Sequence, residues 1–153
     1  MATKRKTVMV VDDEEVVRDI LCTCFEKKGY KTVDLSDGQS AVSYVKNENM
    51  PDVVFLDIKM PGMDGLETCR KLRQALKPSS KTGIIMITGY GSPENMEKSF
   101  SSGAIDVIKK PFDLDDVNQR INIWFEVRNI DDELSRSLLY TEKVNWYLGG
   151  GLA

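Results

Sequence analysis

The chain has 153 residues, enough for about one domain that buries a core without metal or disulfide support. Its 21 basic and 24 acidic side chains leave a net charge of −3, so it has no broad basic field for nucleic acid or an anionic membrane. It contains no histidine, which excludes an imidazole base, an imidazole metal ligand and a phosphohistidine within this chain.

The cysteines and the hydropathy pattern point to a reducing compartment. Cys22, Cys24 and Cys69 cannot all pair, and none has the C-x-x-C spacing of a redox or zinc site. No apolar run approaches the roughly 18 residues that span a bilayer, and the basic start lacks the long apolar region of a secretory signal. We therefore expect a cytoplasmic protein that contacts neither membrane nor nucleic acid directly.

Short β-branched apolar runs alternate along the chain with segments of helical spacing. The predicted strands are residues 7–11, 32–35, 53–56, 84–87 and 105–108. The predicted helices are residues 14–28, a second around 41–45, a third over 66–76, a fourth from Ser92 to Gly103 and a fifth from Asp113. This alternation is typical of βαβ units, and it predicts an α/β fold with a doubly wound, five-stranded parallel sheet.

The first helix shows the pattern in detail. Val17, Ile20, Leu21 and Cys24 share one predicted apolar face, and Gly29 is the predicted C-terminal cap.

Charged and hydroxyl side chains follow four of the five predicted strands. They are Asp12 and Asp13 after strand 1, Asp57 after strand 3, Thr88 after strand 4, and Lys109 with Lys110 after strand 5. Ligands bind at the carboxyl ends of strands in such a sheet. Each acid taken alone is also explained as a solvated residue at a strand end, or as the N-cap of the next helix. Three carboxylates about 4 Å apart repel by roughly 4 kcal/mol per pair, so the set requires a cation or protonation. Ligands that are all oxygen favour Mg²⁺ as the cation.

Four motifs resemble those of bacterial two-component response regulators, in the receiver (phosphoacceptor) domain. They are VVDDEE at 10–15, DVVFLDIKMPGMDG at 52–65, ITGYG at 87–91 and GAIDVIKKPF at 103–112. The motifs occur in order at the expected strand ends, and the resemblance covers residues 5 to 127. It implies the flavodoxin-like strand order 2-1-3-4-5.

The resemblance also implies a function for each matching residue. Asp57 is the expected phosphoacceptor, with Thr88 and Lys110 as the hydroxyl and the ammonium that contact the phosphoryl group. Asp12, Asp13 and Asp57, with the backbone carbonyl of Lys59, are the expected Mg²⁺ ligands. The peptide bond before Pro111 is expected to be cis, and Lys109 is expected to be a solvated neighbour.

The expected function is a phosphorylation-controlled signalling switch and not an enzyme acting on a separate substrate. The resemblance implies that the phosphoryl donor is a sensor histidine kinase or phosphotransfer protein, and acetyl phosphate is expected to be a small substitute. Phosphorylation is expected to change the surface around helix 4, strand 5 and helix 5. The alternative is a Mg²⁺-dependent phosphohydrolase with an aspartyl-phosphate intermediate, but such enzymes commonly carry an acid where this chain has Lys59.

Three positions are expected to modulate this switch. Val107 replaces the Tyr or Phe that receivers often carry on strand 5, so aromatic coupling to Thr88 is not expected and packing is the simpler interpretation. Tyr90 is either an aromatic gate or a half-exposed loop tyrosine. With Lys59 and Tyr90 flanking the site, no amide or acid there orients a water, and slow self-dephosphorylation is expected.

The pattern after the receiver resemblance is helical. We expect a receiver domain over 1–127 and a helical tail or linker over 128–153. Positions at steps of four and three from Ile123 to Leu148 predict a seam that continues helix 5, weakened by the polar members Ser137 and Thr141. This seam is expected to support a homodimer through helix 5 and the tail. The alternative is an amphipathic helix folded back on its own domain.

Overall fold

The structure is a computed structural model, and it describes residues 4–47, 49–89 and 93–150. The strands are β1 (Thr7–Val11), β2 (Lys31–Leu35), β3 (Val53–Asp57), β4 (Gly83–Thr88) and β5 (Asp106–Lys109). The helices are α1 (Glu15–Lys27), α2 (Gly38–Lys46), α3 (Gly65–Ala75), α4 (Pro93–Ser101), α5 (Leu114–Val127) and α6 (Glu133–Leu148). Every predicted strand and helix is present within three residues of its expected start, and α6 is the helix expected in the tail.

All neighbouring strands are parallel, and the sheet has the order β2-β1-β3-β4-β5. The predicted fold class and strand order are therefore confirmed. The register aligns Val11 with Leu56 and Asp57 with Ile87, so β1, β3 and β4 end at the same edge. This alignment brings together the residues that follow those strands.

Helices cover both faces of the sheet, which is why β3 and β4 are buried along their whole length. On one face, Val54 and Met86 join a core cluster with Val42 of α2 and Leu72 of α3. On the other face, Phe55 stacks on Phe25 of α1 with ring centroids 5.2 Å apart.

The buried face of α1 differs from the predicted one. Leu21, Cys22 and Phe25 are buried, whereas Ile20 is 46% exposed. Phe25 stacks on the sheet, and this contact sets which side of α1 is buried. The predicted apolar face did not include Phe25. Gly29 follows α1 with a φ of 93°, so the predicted glycine cap is confirmed.

The chain divides into two compact units, one ending at Pro111 and the other beginning at Phe112. The second unit contains α5 and α6, and each helix begins at an aspartate cap. Asp113 accepts from the Asp115 N–H and Asp132 accepts from the Ser135 N–H. The expected boundary at residue 127 stays a prediction.

The predicted continuation of helix 5 is wrong. The helix ends at Val127 and α6 begins at Glu133. Ile123, Val127 and Val144, three apolar members of the predicted seam, are buried within the chain. The Trp124 ring meets Tyr140 of α6 edge-on at 6.5 Å, as expected for a helix that packs back on its own chain.

No described helix combines the length and the apolar character needed to cross a membrane. Cys22, Cys24 and Cys69 form no disulfide bond with one another.

Candidate functional site

Asp12 lies directly after β1 and is 2% exposed, although it is a carboxylate. Its Oδ1 accepts the backbone N–H of Glu14 at 2.9 Å, and its backbone carbonyl accepts Nη1 of Arg18 at 2.7 Å. These two bonds fix the turn between β1 and α1. Asp13, the next residue, is exposed at the same strand end.

Asp57 is the last residue of β3 and is 5% exposed. The loop after it turns back tightly, because the Gly65 N–H donates to the Ile58 carbonyl at 2.7 Å. A Cβ on Gly65 would overlap the Asp57 carbonyl. Glycine at this position is therefore required for close approach of the chain to the strand end.

The segment 61–65 connects the loop after β3 to α3, and its two glycines differ in conformation. Gly62 has a φ of 75°, as a turn glycine does, but Gly65 begins α3 and has no positive φ. Asp64 caps α3 by accepting the Glu67 N–H at 2.9 Å.

Lys110 supplies the positive charge at this edge. Its Nζ lies 3.1 Å from Oδ2 of Asp12, 3.4 Å from Oδ2 of Asp57 and 3.8 Å from Oε1 of Glu14. Its backbone N–H donates to the Thr88 carbonyl at 2.8 Å, which ties it to the end of β4. The Lys110–Pro111 bond is cis, as expected.

The carboxylates of Asp12, Asp13 and Asp57 each bring one oxygen within 4.8 Å of the others. Burial and the neighbouring Asp12 charge raise the pKa of Asp57 to about 6, against the opposing effect of Lys110. Burial also opposes the charge of Lys110, but its hydrogen bond to Asp12 and the Asp57 charge outweigh that effect and raise its pKa. One ammonium therefore does not fully compensate three carboxylates.

The remaining expected site residues have contrasting environments. Thr88 ends β4 and is fully buried, and Val107 is 7% exposed within the core cluster. Lys59 and Lys109 are exposed. Tyr90 and Ser92 lie outside the described residues.

Sequence reasoning gave no function to two residues that contact this site. Glu14 lies 3.8 Å from the Lys110 ammonium, and Arg18 holds the Asp12 carbonyl while it pairs with Asp34. The position of Glu14 directly after two aspartates could have indicated that it lies at the site. Arg18 had none, since it lies within an ordinary amphipathic helix.

Comparison with known proteins agrees with this geometry. The family model described as "Response regulator receiver domain" matches residues 8–122. The "Sporulation initiation phosphotransferase F" of Bacillus subtilis is 31% identical over 122 residues, covering 80% of this chain and 95% of that protein.

A longer relative and a solved structure give the same result. The "Regulatory protein AtoC" of Escherichia coli is 32% identical over 142 residues, which cover 93% of this chain but only 30% of that protein. The CheY-like response regulator receiver domain protein from Methanospirillum hungatei is 27% identical. It has a TM-score of 0.77, over 84% of this chain and 100% of that one. The chain belongs to the response regulator receiver domain family.

Proposed function

We propose that this chain is a signalling switch controlled by phosphorylation of Asp57. The observation that carries the proposal is the buried Asp57 carboxylate, which lies 3.4 Å from the Lys110 ammonium in a cluster with Asp12 and Asp13. A buried acid at a strand end, with a cation beside it, is suited to accepting a phosphoryl group and holding its oxygens.

The proposed reaction is a direct transfer to Asp57. A carboxylate oxygen attacks the phosphorus, an O–P bond forms, and the bond from phosphorus to the leaving group breaks. The chain contains no histidine, so a phosphohistidine donor lies outside it. A sensor histidine kinase or a phosphotransfer protein meets this requirement, and acetyl phosphate is a small substitute.

Lys110 and Thr88 are proposed to contact the transferred group. The Lys110 ammonium faces the carboxylates of Asp12 and Asp57, so it is positioned to pair with phosphoryl oxygens once Asp57 carries an acyl phosphate. Thr88 is linked to Lys110 through a backbone hydrogen bond, and its hydroxyl belongs to the strand next to β3. A movement at Thr88 is thus connected to both β5 and the chain that leads into α4.

A divalent cation fits the donor set of this site. The oxygens of Asp12, Asp13 and Asp57 are hard ligands, they lie close together, and their charge exceeds that of Lys110. We propose that these carboxylates, with the Lys59 backbone carbonyl, hold Mg²⁺. When bound, Mg²⁺ supplies positive charge that offsets repulsion between the carboxylates and an incoming phosphoryl group.

The partner kinase or phosphotransfer protein is proposed to contact α1. Val16 and Ile20 are one turn apart on this helix and are 68% and 46% exposed. They follow directly after the acidic turn at Asp12 and Asp13, so an apolar surface of a partner that packs on them brings its donor near the acceptor.

The switch does not use an aromatic side chain on β5. Val107 is buried in the core cluster with Met86 and Ala104, which supports a packing function. The proposed conformational response therefore involves the Thr88 end of β4, α4 and β5. Lys59 and Tyr90 are proposed to affect how long the phosphoryl group persists.

A phosphohydrolase is not favoured. Lys59 occupies the position two residues after Asp57 and is exposed, so it offers no carboxyl group as a general acid. We propose a phosphoacceptor regulator that assists its own phosphorylation and slow dephosphorylation. Direct contact with nucleic acid is not part of this proposal. Three cysteines that form no disulfide with one another are compatible with the proposed cytoplasmic location.

We propose residues 1–127 as the receiver domain and 128–153 as a tail that contributes to a homodimer. Leu134, Leu138 and Leu148 of α6 are 68%, 62% and 57% exposed. By their spacing, Leu134 and Leu138 lie one turn apart on a different side of the helix from Tyr140 and Val144, which are buried, whereas Leu148 lies one turn after Val144. A second chain that covers these leucines would remove apolar surface from water.

Mass spectrometry tests the central assignment. Incubation with Mg²⁺ and acetyl phosphate is expected to add one phosphoryl group to the native chain and none to Asp57→Asn. Asp19→Asn, which changes an exposed carboxylate of α1, is the matched control and is expected to be labelled normally. Unchanged labelling of Asp57→Asn would refute Asp57 as the acceptor.

A further inference from the structure

An open cavity of about 430 Å³ lies between α2 and α3, among residues that have no function in phosphoryl transfer. Its wall includes Val42 and Val45 of α2, Ala75 at the end of α3, and Met50 of the segment before β3. The volume is within the range of sites that hold a small ligand or one or two side chains. The apolar wall favours an aliphatic group over a bare ion.

Three lysines also line this cavity. Lys46 lies in the last turn of α2, Lys71 is on α3, and Lys77 follows α3. All three are exposed, and no acidic side chain is among the described residues that line the cavity. Lys71 has an ion pair with Glu67 at 3.6 Å, and both side chains of this pair are exposed.

The positive charge of these three lysines contrasts with the net charge of the whole chain, which is −3. Lysines at helix C-termini are favourable in themselves, and this accounts for Lys46 and Lys77 being near the ends of their helices. It does not account for the convergence of both on an apolar cavity together with Lys71. Positive charge around an apolar wall is complementary to a ligand that joins an apolar group to acidic groups.

We propose that the cavity between α2 and α3 docks an acidic peptide segment of a partner protein, with one aliphatic side chain against Val42, Val45 and Met50. Its flanking carboxylates pair with Lys46, Lys71 and Lys77. The open shape suits a peptide that lies across the surface, with main affinity from the aliphatic side chain and selectivity from the charges. This docking site is independent of the phosphorylation of Asp57.

The test uses the full chain and a capped peptide of sequence Asp-Glu-Leu-Asp-Glu. Titration followed by ¹⁵N–¹H NMR is expected to shift the amide signals of Val42, Val45, Lys46, Lys71 and Ala75. Replacing the peptide leucine by serine is expected to abolish these shifts, and raising NaCl from about 50 to about 300 mM is expected to weaken them because salt screens exposed charges.

Two double variants make the same change of charge, one at the cavity and one away from it. Lys46→Glu with Lys77→Glu is expected to weaken peptide binding by about fivefold or more, since exposed ion pairs contribute modestly. Lys27→Glu with Lys28→Glu, at the exposed C-terminus of α1, is expected to leave binding unchanged. Labelling of Asp57 by acetyl phosphate is expected to be the same in both double variants.

Three results would overturn the proposal. The first is the absence of saturable shifts around the cavity, and the second is equal weakening of peptide binding by the two double variants. The third is that the same signals shift with protein concentration when no peptide is present, which would assign the cavity to a second copy of this chain.

Discussion

The strand-end site and helix α6 depart from the usual distribution of side chains in opposite ways. At the strand ends, Asp12 and Asp57 are 2% and 5% exposed although both are acids. On α6, Leu134 and Leu138 are 68% and 62% exposed although both are apolar. A buried charge must be compensated by a partner, and an exposed leucine gains by finding a cover.

The difference lies in what holds each region in place. The acids are fixed by a parallel sheet whose register aligns the ends of β1, β3 and β4. In α6, only Tyr140 and Val144 are buried, so the helix depends on a narrow contact with its own unit. Substitutions at the strand ends are therefore expected to change the phosphorylation of Asp57 and the pH dependence of stability. Substitutions on the buried side of α6 are expected to change the stability of the α5–α6 contact.

The largest expected effect separates the two sides of α6. Tyr140→Ala removes an aromatic ring that is 3% exposed and meets Trp124, and is expected to destabilise the α5–α6 contact by about 3 kcal/mol. Leu138→Ala is expected to change the same contact by less than about 0.5 kcal/mol. Hydrogen exchange of the α6 amides measures this difference.

Light scattering at high micromolar concentration examines the other side of α6. Leu138→Ala is expected to weaken self-association while α6 stays protected from exchange. Equal loss of amide protection in the two variants would show that both sides of α6 are packed. Identical monomer masses for the native chain and for a version ending at Val127 would refute the proposed dimer.

The second expected effect concerns the cation at the strand ends. Lys110→Met is expected to slow phosphorylation of Asp57 by acetyl phosphate about 100-fold, because it removes the ammonium that lies 3.4 Å from the acceptor. Lys109→Met is the matched control, since Lys109 is exposed and adjacent in sequence. Similar rates for the two variants, measured by quenched-flow mass spectrometry, would exclude Lys110 from the reaction.

The third expected effect is a gain of stability from removing a buried charge. Burial holds the pKa of Asp57 at about 6, above its ordinary value, so the folded chain binds this proton more tightly than the unfolded chain does. The stability contributed by this proton is present below about pH 4 and is lost as the pH rises through about 6. Asp57→Asn is therefore expected to raise the free energy of unfolding at pH 7.5 by about 2 kcal/mol.

Urea denaturation in EDTA at pH 4.5, 6 and 7.5 measures this gain. The advantage of Asp57→Asn is expected to increase with pH, whereas Asp19→Asn, at an exposed position, is expected to show none. Added Mg²⁺ is expected to stabilise the native chain more than Asp57→Asn. An advantage that is constant over this pH range would show that the Asp57 charge is not its cause.

The smallest expected effect concerns the persistence of the phosphoryl group. Tyr90→Glu is expected to speed self-dephosphorylation about fivefold, a change of about 1 kcal/mol in the barrier, because a carboxylate can orient a water. The decay of phosphorylated protein, followed by mass spectrometry at 25 °C, measures this rate. Equal lifetimes for Tyr90→Glu and the native chain would remove Tyr90 from the residues that modulate the site.

The sequence by itself determined the strand-end site. Apolar β-branched runs identify the strands, and the parallel connection places their carboxyl ends at one edge, so Asp12, Asp57 and Lys110 were predictable as neighbours. Turn chemistry was also predictable at Gly62, whose positive φ follows from the residue type. The requirement for glycine at position 65 was not predictable from residue type, because it arises from the close approach of the Asp57 backbone carbonyl.

Only the tertiary structure decided which apolar faces are covered. The spacing of Ile123, Val127 and Val144 suits a seam between two chains as well as a contact within one, and the break before Glu133 selects the contact within one. In α1, the stacking of Phe25 on Phe55 leaves Ile20 exposed, against the pattern of its neighbours. The hydrophobic effect is not directional. Helical periodicity therefore predicts that an apolar face is covered, but it does not predict which surface covers it.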